Sequence, residues 1–379
     1  MTDVLIVGGG PGGLAAAIAL RAKGADVTVA DAQTPPIDKA CGEGLMPDAL
    51  IALRELGVEL NTTEGKAFRG IRFASEDYEQ VATADFPDGL GYGFPRPVLH
   101  IQLLHAAEAA GVNLRWGQNV QVLTNQEAEI GDESLNFKWL IGADGQSSQV
   151  RRWAALDQAK TYSTRYGFRC RYRVRPWSEY VEVHWGPLGE VYVTPVGEEE
   201  ICVATLSSDP HHKSEEVLAG LPWLRERLAG VAISSQERGS VSKTLRLRSV
   251  ARGNVALLGD ASGTVDAVTG EGMALAFRQA QLLVRSLENE SLELYEREHN
   301  AILIQPQQMA RILLAMDRWH GLRDRALWLL ASEPALFQRM LGVHVGIESL
   351  AHFLLCKGVT LSRGLIQAPH SQSKTSLTR

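Results

Sequence analysis

Residues 3–31, DVLIVGGGPGGLAAAIALRAKGADVTVAD, decide the fold of this chain. The short β-branched run from Val4 to Val7 predicts a buried parallel strand, and the Ala-rich run from Leu14 to Lys23 predicts a helix. A second strand is predicted from Asp26 to Ala30, with Asp31 directly after it. A strand, a helix and a second strand in this order predict the beginning of a parallel α/β sheet.

The glycines between this strand and helix predict a dinucleotide site. Gly8, Gly10 and Gly13 have the spacing G-x-G-x-x-G, with Pro11 inside the motif. In this motif one glycine permits the tight turn and one lets the backbone approach a pyrophosphate closely. The third allows the helix to pack closely on the strand. Asp31 is placed to accept hydrogen bonds from an adenosine ribose. The alternative is an α/β crossover that binds no nucleotide.

Composition excludes several classes of protein. The 379 residues predict two domains plus an extension, and 45% hydrophobic with 22% charged residues is typical of a soluble enzyme. A net charge of -6 without a basic block argues against nucleic-acid binding. The four cysteines form no C-x-x-C pair, and the ten histidines show no ligand spacing. We therefore expect a reduced, cytoplasmic protein without a structural metal.

The chain enters its first predicted strand almost at once, so we expect no secretory signal. No apolar run reaches the length of about 18 residues that a spanning helix needs. The strand patterns change between the first segment and the middle of the chain, and the parallel pattern returns at Gly253 with the segment NVALLGDAS. The chain therefore divides into a first domain (1–69, 96–160 and 246–290), a second domain (70–95 and 161–245), a helical region (291–366) and a disordered tail (367–379).

Three sequence blocks occur in a fixed order along the chain. They are the Gly8–Gly13 motif, GADGQSSQVR at 142–151 and LLGDASGTVDAVTGEG at 257–272. Together with Arg96 and Leu99, they resemble the flavoprotein monooxygenases of the p-hydroxybenzoate hydroxylase fold and the related geranylgeranyl reductases. The resemblance implies an α/β protein: a Rossmann-like FAD-binding domain, an inserted, mainly antiparallel substrate domain and a C-terminal helical region.

The resemblance implies FAD as cofactor, with NADPH or NADH as electron donor. Arg96 would contact the ribityl or phosphate region of the flavin, and Gly259 and Asp260 would hold the cofactor from the other side. For Asp260, a helix N-cap is the alternative. Asp144 and Arg151 resemble the second fingerprint of the family, which serves FAD and the nicotinamide cofactor. Their alternative is a structural pair that ties a loop to a helix.

The segment from Thr269 to Gly272 corresponds to a helix N-terminus against the pyrimidine edge of the flavin ring. There the helix dipole stabilises negative charge on a reduced flavin. Glycines at 270 and 272 allow a close approach of the backbone, while a helix cap that needs glycine for packing is the alternative. The resemblance adds Gly270, Gly272 and Met273 to the cofactor-binding candidates and Glu271 to the catalytic candidates.

Two further catalytic candidates are Cys41 and Tyr192. The loop Cys41-Gly-Glu-Gly44 resembles a C-G-x-G segment of the geranylgeranyl reductases. Its thiol either faces the substrate or is a small buried hydrophobe. Strand alternation places Tyr192 and Thr194 on one face, and Pro195 is predicted to end the strand.

The preferred interpretation is an NAD(P)H-driven monooxygenase that hydroxylates a lipophilic or aromatic, polyketide-like molecule. The residues Asp266-Ala-Val stand where hydroxylases carry a proline, which favours the alternative, a geranylgeranyl-reductase-like enzyme acting on carbon–carbon double bonds. A flavin-binding or electron-transfer protein without enzymatic activity is the third interpretation. The absence of a W-x-W pair disfavours halogenation.

A lipophilic small molecule is the expected partner, and the chain is expected to be a monomer or a homodimer. Peripheral membrane contact through residues 310–360, which include Trp319 and Trp328, is one interpretation of the apolar C-terminal helices. Packing of these helices on the protein itself or on a dimer mate is the preferred interpretation.

Overall fold

The computed structural model describes residues 1–368, and the last eleven residues lie outside the described part. Its strands, numbered along the chain, are β1 (Thr2–Val7), β2 (Val27–Asp31), β3 (Gly44–Leu45), β4 (Lys66–Phe68), β5 (Gly70–Ala74), β6 (Val81–Asp85), β7 (Gly91–Gly93), β8 (Asn113–Trp116), β9 (Val120–Thr124), β10 (Glu127–Ile130), β11 (Glu133–Gly142), β12 (Ala159–Tyr172), β13 (Tyr180–Trp185), β14 (Glu190–Gly197), β15 (Glu200–Ser207), β16 (Arg238–Leu247), β17 (Ala251–Arg252) and β18 (Val255–Leu257).

The structure has eleven α-helices within residues 1–368, and most of them lie in the second half of the chain. They are α1 (Pro11–Ala22), α2 (Pro47–Glu55), α3 (Arg96–Ala109), α4 (Gln149–Trp153), α5 (Ser214–Ala219), α6 (Pro222–Leu228), α7 (Gly272–Glu288), α8 (Glu293–Arg318), α9 (His320–Ser332), α10 (Pro334–His344) and α11 (Leu350–Gln367).

The first sheet is largely parallel and has the strand order β17-β18-β11-β1-β2-β8. Strand β1 pairs with β2 on one side and with β11 on the other, both in parallel. Its residues Leu5 and Ile6 are fully buried, because helices cover both faces of a parallel sheet. The carboxyl ends of β1, β2, β11 and β18 meet at one edge, where ligands bind in sheets of this kind.

The second sheet has seven strands in the order β16-β12-β15-β14-β13-β5-β6. All neighbouring strands are antiparallel except β13 and β5, which run in parallel. The short strands β3, β7 and β4 form a small third sheet. Helices α9 and α10 pack on β6, and α8 packs on α7. The C-terminal helices thus join the second sheet to the first.

A mixed apolar core lies between the second sheet and the C-terminal helices. Phe73 of β5 stacks on Phe337 of α10 at 4.9 Å between ring centroids and lies 4.6 Å from Trp185 of β13. Leu313 and Leu327, from α8 and α9, belong to the same buried cluster. Most of the apolar stripe of the C-terminal helices is therefore protein core, as the preferred interpretation of the sequence expected.

The predicted fold class is confirmed, and several predicted boundaries need correction. Helix α1 begins at Pro11 rather than Leu14, because proline is favoured at the first helical position. Helix α3 begins at Arg96. The prediction that Pro195 ends its strand was wrong: β14 continues to Gly197, with a register shift after Pro195.

The division into domains stays a prediction. Its substrate segments contain β5, β6 and β13 to β15 and most of β12 and β16, which together form the second sheet. The predicted disordered tail began one residue too early, since Gln367 is the last residue of α11. The remainder of that prediction, residues 369–379, lies outside the described residues.

The glycine turn between β1 and α1 is closely packed. Gly8 has a φ of 113°, which favours glycine. A Cβ on Gly13 would lie 2.1 Å from the Gly8 carbonyl oxygen and 3.3 Å from Cβ of Ala143. A Cβ on Gly10 would meet no heavy atom within 4 Å. The third glycine of the motif therefore serves packing, and the second leaves space open at the helix N-terminus.

We expect Gly13→Ala to lower the free energy of unfolding by about 1–3 kcal/mol, because backbone and helix must move apart. Gly10→Ala is the matched control and should leave the unfolding midpoint of the cofactor-free protein almost unchanged. Urea unfolding followed by circular dichroism measures both variants. Equal midpoints for the two variants would contradict this packing argument.

Candidate functional site

The N-terminus of α1 is open toward the carboxyl edge of the first sheet. Gly10 is the N-cap of this helix and makes no side-chain capping hydrogen bond. Free amides and the positive end of the helix dipole therefore face the space beside Gly10, which suits an anionic pyrophosphate. The residues present thus fit the dinucleotide predicted from Gly8, Gly10, Pro11 and Gly13.

Two side chains hold the backbone of this loop at Gly9. The Gly9 amide donates to Oδ2 of Asp31 at 2.8 Å, and the Gln33 amide donates to Oδ1 of the same carboxylate at 2.8 Å. Nε2 of the buried His100 lies 2.9 Å from the Gly9 carbonyl oxygen and donates to it. Burial lowers the pKa of His100, so the ring is neutral here. Asp31 is half-buried and lies at the predicted end of β2.

Asp144 and Arg151 follow β11, as predicted, but do not pair with each other. Oδ2 of Asp144 accepts hydrogen bonds from the amides of Gln149 at 2.6 Å and Val150 at 3.1 Å, which caps α4. Arg151 pairs with Asp157 at 2.9 Å. The two residues therefore do not bond to each other, although Asp144 does tie the loop after β11 to α4. Their predicted cofactor role stays a prediction.

Arg151 also connects two loops of the first sheet. Its Nη2 donates to the Gln146 carbonyl at 2.8 Å and its Nη1 to the Ala261 carbonyl at 3.1 Å. The loop after β11 and the loop after β18 are therefore held together by one guanidinium.

Gly259 and Asp260 form the start of a short 3₁₀ helix, Gly259–Ser262. Leu258 is its N-cap, so the alternative of Asp260 as an N-cap was wrong. Oδ2 of Asp260 accepts a hydrogen bond from Nζ of Lys39 at 2.9 Å at the surface. The Gly259 amide donates to Gln279 of α7 at 2.8 Å, which orients this loop.

The predicted helix start at residues 269–272 is confirmed, because α7 begins at Gly272. Gly270 has a φ of 68°, and a Cβ on Gly270 or Gly272 would meet nothing within 4 Å. Both glycines therefore border open space at a helix N-terminus. This arrangement fits the predicted approach of the backbone to a flavin ring better than glycines required only for packing.

Glu271 immediately precedes α7 and is 1% exposed. Neither of its carboxyl oxygens has a hydrogen-bond partner within the described residues. Burial, reinforced by the nearby Asp48, raises the pKa of Glu271 from 4.5 to about 8. Nδ1 of His344 lies 3.7 Å from Oε2 of Glu271, while its Nε2 donates to the Thr269 carbonyl at 3.1 Å. Glu271 is therefore a neutral carboxylic acid at pH 7.

A buried glutamate that sequence reasoning missed holds the Cys41 loop. Glu43 is 2% exposed and has a φ of 57°. Its Oε1 accepts a hydrogen bond from the Arg96 amide at 2.9 Å and lies 3.2 Å from Nη1 of Arg171. Nε of Arg169 lies 3.4 Å from the same oxygen, and Arg169 also pairs with Asp38. The loop is thereby tied to β12 of the second sheet and to the start of α3.

Contacts through Glu43 connect three predicted site residues, Cys41, Arg96 and Met273. Nη1 of Arg96 lies 3.2 Å from Sδ of Met273, so Arg96 spans from the Cys41 loop to the start of α7. Cys41 itself is half-buried, and burial raises the pKa of its thiol from 9.0, although Arg96 lowers it in part. The Cys41 sulfur is therefore a thiol and not a thiolate at pH 7.

Tyr192 and Thr194 share a face of β14, as predicted. The Tyr192 hydroxyl donates to the Val268 carbonyl at 2.9 Å, next to the start of α7. Burial raises the pKa of this half-buried phenol further above its ordinary value. A Cβ on Gly44 would lie 3.5 Å from the methyl group of Thr194, so the Cys41 loop lies against β14. Cys41, Tyr192 and the start of α7 therefore surround one site.

A second acidic group was also missed by sequence reasoning. Glu190 is completely buried, and both of its carboxyl oxygens are without a hydrogen-bond partner in the described chain. Arg165 faces it at 3.7 Å and also faces Asp266 at 3.6 Å and Asp317 at 2.9 Å. Burial raises the pKa of Glu190 to about 8. One guanidinium facing two buried carboxyls and one half-buried carboxyl favours protonation of one of them.

Comparison with known proteins agrees with this geometry. Residues 1–187 match a family model described as an FAD binding domain. The menaquinone reductase of Mycobacterium tuberculosis strain H37Rv is 27% identical over 318 residues, covering 76% of this chain and 77% of that protein. The rifampicin monooxygenase of Rhodococcus hoagii is 31% identical over 159 residues, covering 40% of this chain and 33% of that protein.

Solved structures show the same fold. The crystal structure of a flavoprotein/dehydrogenase from Cytophaga hutchinsonii has a TM-score of 0.81 with this chain at 18% identity, covering 96% of this chain and 98% of that one. The similarity extends through the C-terminal helices, which the sequence motifs did not cover. The FAD binding domain supports FAD as the cofactor. Residues 1–187 therefore match an FAD binding domain, the chain has the FAD-dependent, p-hydroxybenzoate hydroxylase-like fold, and the proteins similar to it include both reductases and monooxygenases.

Proposed function

We propose that this protein is an FAD-dependent reductase that saturates a carbon–carbon double bond of an isoprenoid lipid, with a prenylated quinone as the substrate class. NADH or NADPH would supply the electrons. One observation carries the proposal: the Cys41 thiol, whose pKa burial raises from 9.0, is a protonated group on the loop that Glu43 holds beside Arg96, which in turn contacts Met273 at the start of α7. The similarity to a menaquinone reductase over three quarters of both chains supports the substrate class.

Protonated groups suit reduction better than hydroxylation. Saturation of a double bond adds a hydride to one carbon and a proton to the other, so the protein must donate a proton. Hydroxylation of a phenol is assisted by a base that removes the phenolic proton, and raised pKa values work against that role. FAD, when bound, accepts a hydride from the nicotinamide and delivers it to the substrate carbon.

Cys41 is the group best placed to donate the proton. It is half-buried on a loop whose geometry is set by Glu43, and its thiol keeps its proton at pH 7. The Tyr192 hydroxyl is already used in a hydrogen bond to the Val268 carbonyl, so we assign it to positioning of the segment before α7. Glu271 is too deeply buried to touch a substrate. It keeps the segment before α7 electrically neutral, so that the positive helix end acts on the cofactor.

Hydroxylation, the interpretation preferred from sequence, is the second candidate. The similarity of 159 residues to rifampicin monooxygenase, at higher identity than to the reductase, favours it. The two reactions differ in their need for dioxygen and in the mass of the product. Both share the same FAD-binding residues, so these residues do not separate them.

The deciding experiment uses the purified FAD-loaded protein with NADH or NADPH and a menaquinone in detergent, with and without dioxygen. We expect a product that still carries two added hydrogen atoms after any quinol has been reoxidised by air, that forms without dioxygen, and whose added hydrogens are located in the isoprenoid chain by tandem mass spectrometry. A product that has gained one oxygen atom, formed only with dioxygen, would overturn the proposal and establish the second candidate. Binding of FAD without either product from menaquinone or from candidate phenols would favour the third, non-enzymatic interpretation.

We expect Cys41→Ala to slow reoxidation of the pre-reduced protein by the menaquinone on the order of 100-fold, because the proton donor is lost. Its reduction by NADH or NADPH should be unchanged. Stopped-flow absorbance under anaerobic conditions measures both rates. Cys356→Ala is the matched control, since this exposed cysteine lies on α11. Equal reoxidation rates for the two variants would remove Cys41 from the mechanism.

The raised pKa of Glu271 predicts a pH dependence of stability. Between pH 4.5 and about 8, the folded protein retains a proton that the unfolded chain has released. Stability therefore falls as pH rises through this window, by at most about 1.4 kcal/mol per pH unit from this group, and levels off above it. Glu271→Gln, which mimics the neutral acid, should remove this part of the fall.

Urea unfolding at several pH values between 5 and about 8.5 tests this prediction. The free energy of unfolding of Glu271→Gln minus that of the unchanged protein should increase as pH rises, because only the unchanged protein loses stability through this group. Glu215→Gln on the exposed side of α5 is the control and should show a constant difference. A constant difference for both variants would show that Glu271 is ionised in the folded protein.

A further inference from the structure

Helix α11 carries an apolar stripe that no described part of the protein covers. Phe353 is its one buried residue among the 18 from Leu350 to Gln367. Leu355 is 87% exposed, Val359 66% and Ile366 78%. These fractions are among the highest of the large apolar side chains described, so the helix differs from α8, α9 and α10, which contribute to the core.

The three exposed side chains lie on one face of the helix. Spacings of four and seven residues return to the same side of an α-helix. The opposite side packs on the protein: Phe353 is buried, and a Cβ on Gly364 would lie 2.4 Å from Cδ1 of Leu329 in α9. The helix is therefore anchored along its length and presents Leu355, Val359 and Ile366 outward as a continuous stripe.

The C-terminal end of the sequence is basic. From Ser349 to the end of the chain, the sequence contains four basic residues and no aspartate or glutamate. The basic residues are Lys357, Arg363, Lys374 and Arg379. The whole chain has a net charge of -6, so this segment is positive in a protein whose remainder is negative. An exposed apolar stripe within a basic segment of the sequence matches the surface of an anionic bilayer.

We propose that α11 is a membrane-surface helix, which lies in the plane of an anionic bilayer with the Leu355, Val359 and Ile366 side chains among the acyl chains. No helix within residues 1–368 is long and apolar enough to cross a membrane, so the contact is peripheral. The inference rests on exposure and charge and is independent of the proposed reaction. A second copy of this chain is the weaker occupant, since two α11 helices would bring like charges together.

The test is sedimentation of the purified full-length, FAD-loaded protein with vesicles of phosphatidylglycerol and phosphatidylcholine, or of phosphatidylcholine alone. We expect binding to the anionic vesicles that weakens as salt is raised, and much weaker binding to the neutral ones. The triple variant L355Q/V359Q/I366Q should lower the partition coefficient on anionic vesicles by about a hundredfold.

The matched control changes the same three residue types where they are exposed elsewhere, L123Q/V241Q/I233Q. It should bind like the unchanged protein. Circular dichroism and cofactor content establish that both variants are folded. Equal vesicle binding by the two triple variants overturns the proposal. So does a protein that ignores vesicles but forms dimers that L355Q/V359Q/I366Q abolishes, which would assign the stripe to a second copy.

Discussion

The Glu43 carboxyl is the contact on which the geometry of the site depends. Glu43 has a positive φ. Its Oε1 lies within 3.4 Å of the Arg96 amide nitrogen, of Nη1 of Arg171 and of Nε of Arg169. A buried carboxyl is costly unless charged partners surround it, so these contacts must form together. These contacts join the Cys41 loop and the start of α3 to strand β12 of the second sheet.

Around this contact the site divides into two chemically different parts. One part consists of helix ends and glycines: the open N-termini of α1 and α7 and the unhindered positions at Gly10, Gly270 and Gly272. Such elements attract negative charge and allow close approach. The other part consists of groups that keep their protons because burial disfavours the charged form: Cys41, Tyr192, Glu271 and Glu190. Elements that attract negative charge are thus combined with uncharged side chains.

The C-terminal helices have two different roles, and their amino-acid composition does not show which helix has which role. Helices α8 to α10 complete the core of the second sheet through side chains such as Phe337 and Leu313. Helix α11 is equally apolar, but its stripe points away from that core. Whether an apolar helical stripe is core or surface depends on what lies opposite it, and this is decided when the layers assemble.

The sequence by itself determined the glycine turn, the position of Asp31 at the end of the second strand and the helix start at residues 269–272. These are local features, set by β-branched runs and by glycines whose spacing has a direct steric meaning. Only the tertiary structure decided that Asp144 and Arg151 bond elsewhere, that Pro195 lies within its strand and that Glu43 meets Arg171 across 128 positions of the chain. The protonation of Glu271 and Glu190 likewise follows from burial among distant residues, and burial is a property of the packed molecule rather than of any segment of the sequence.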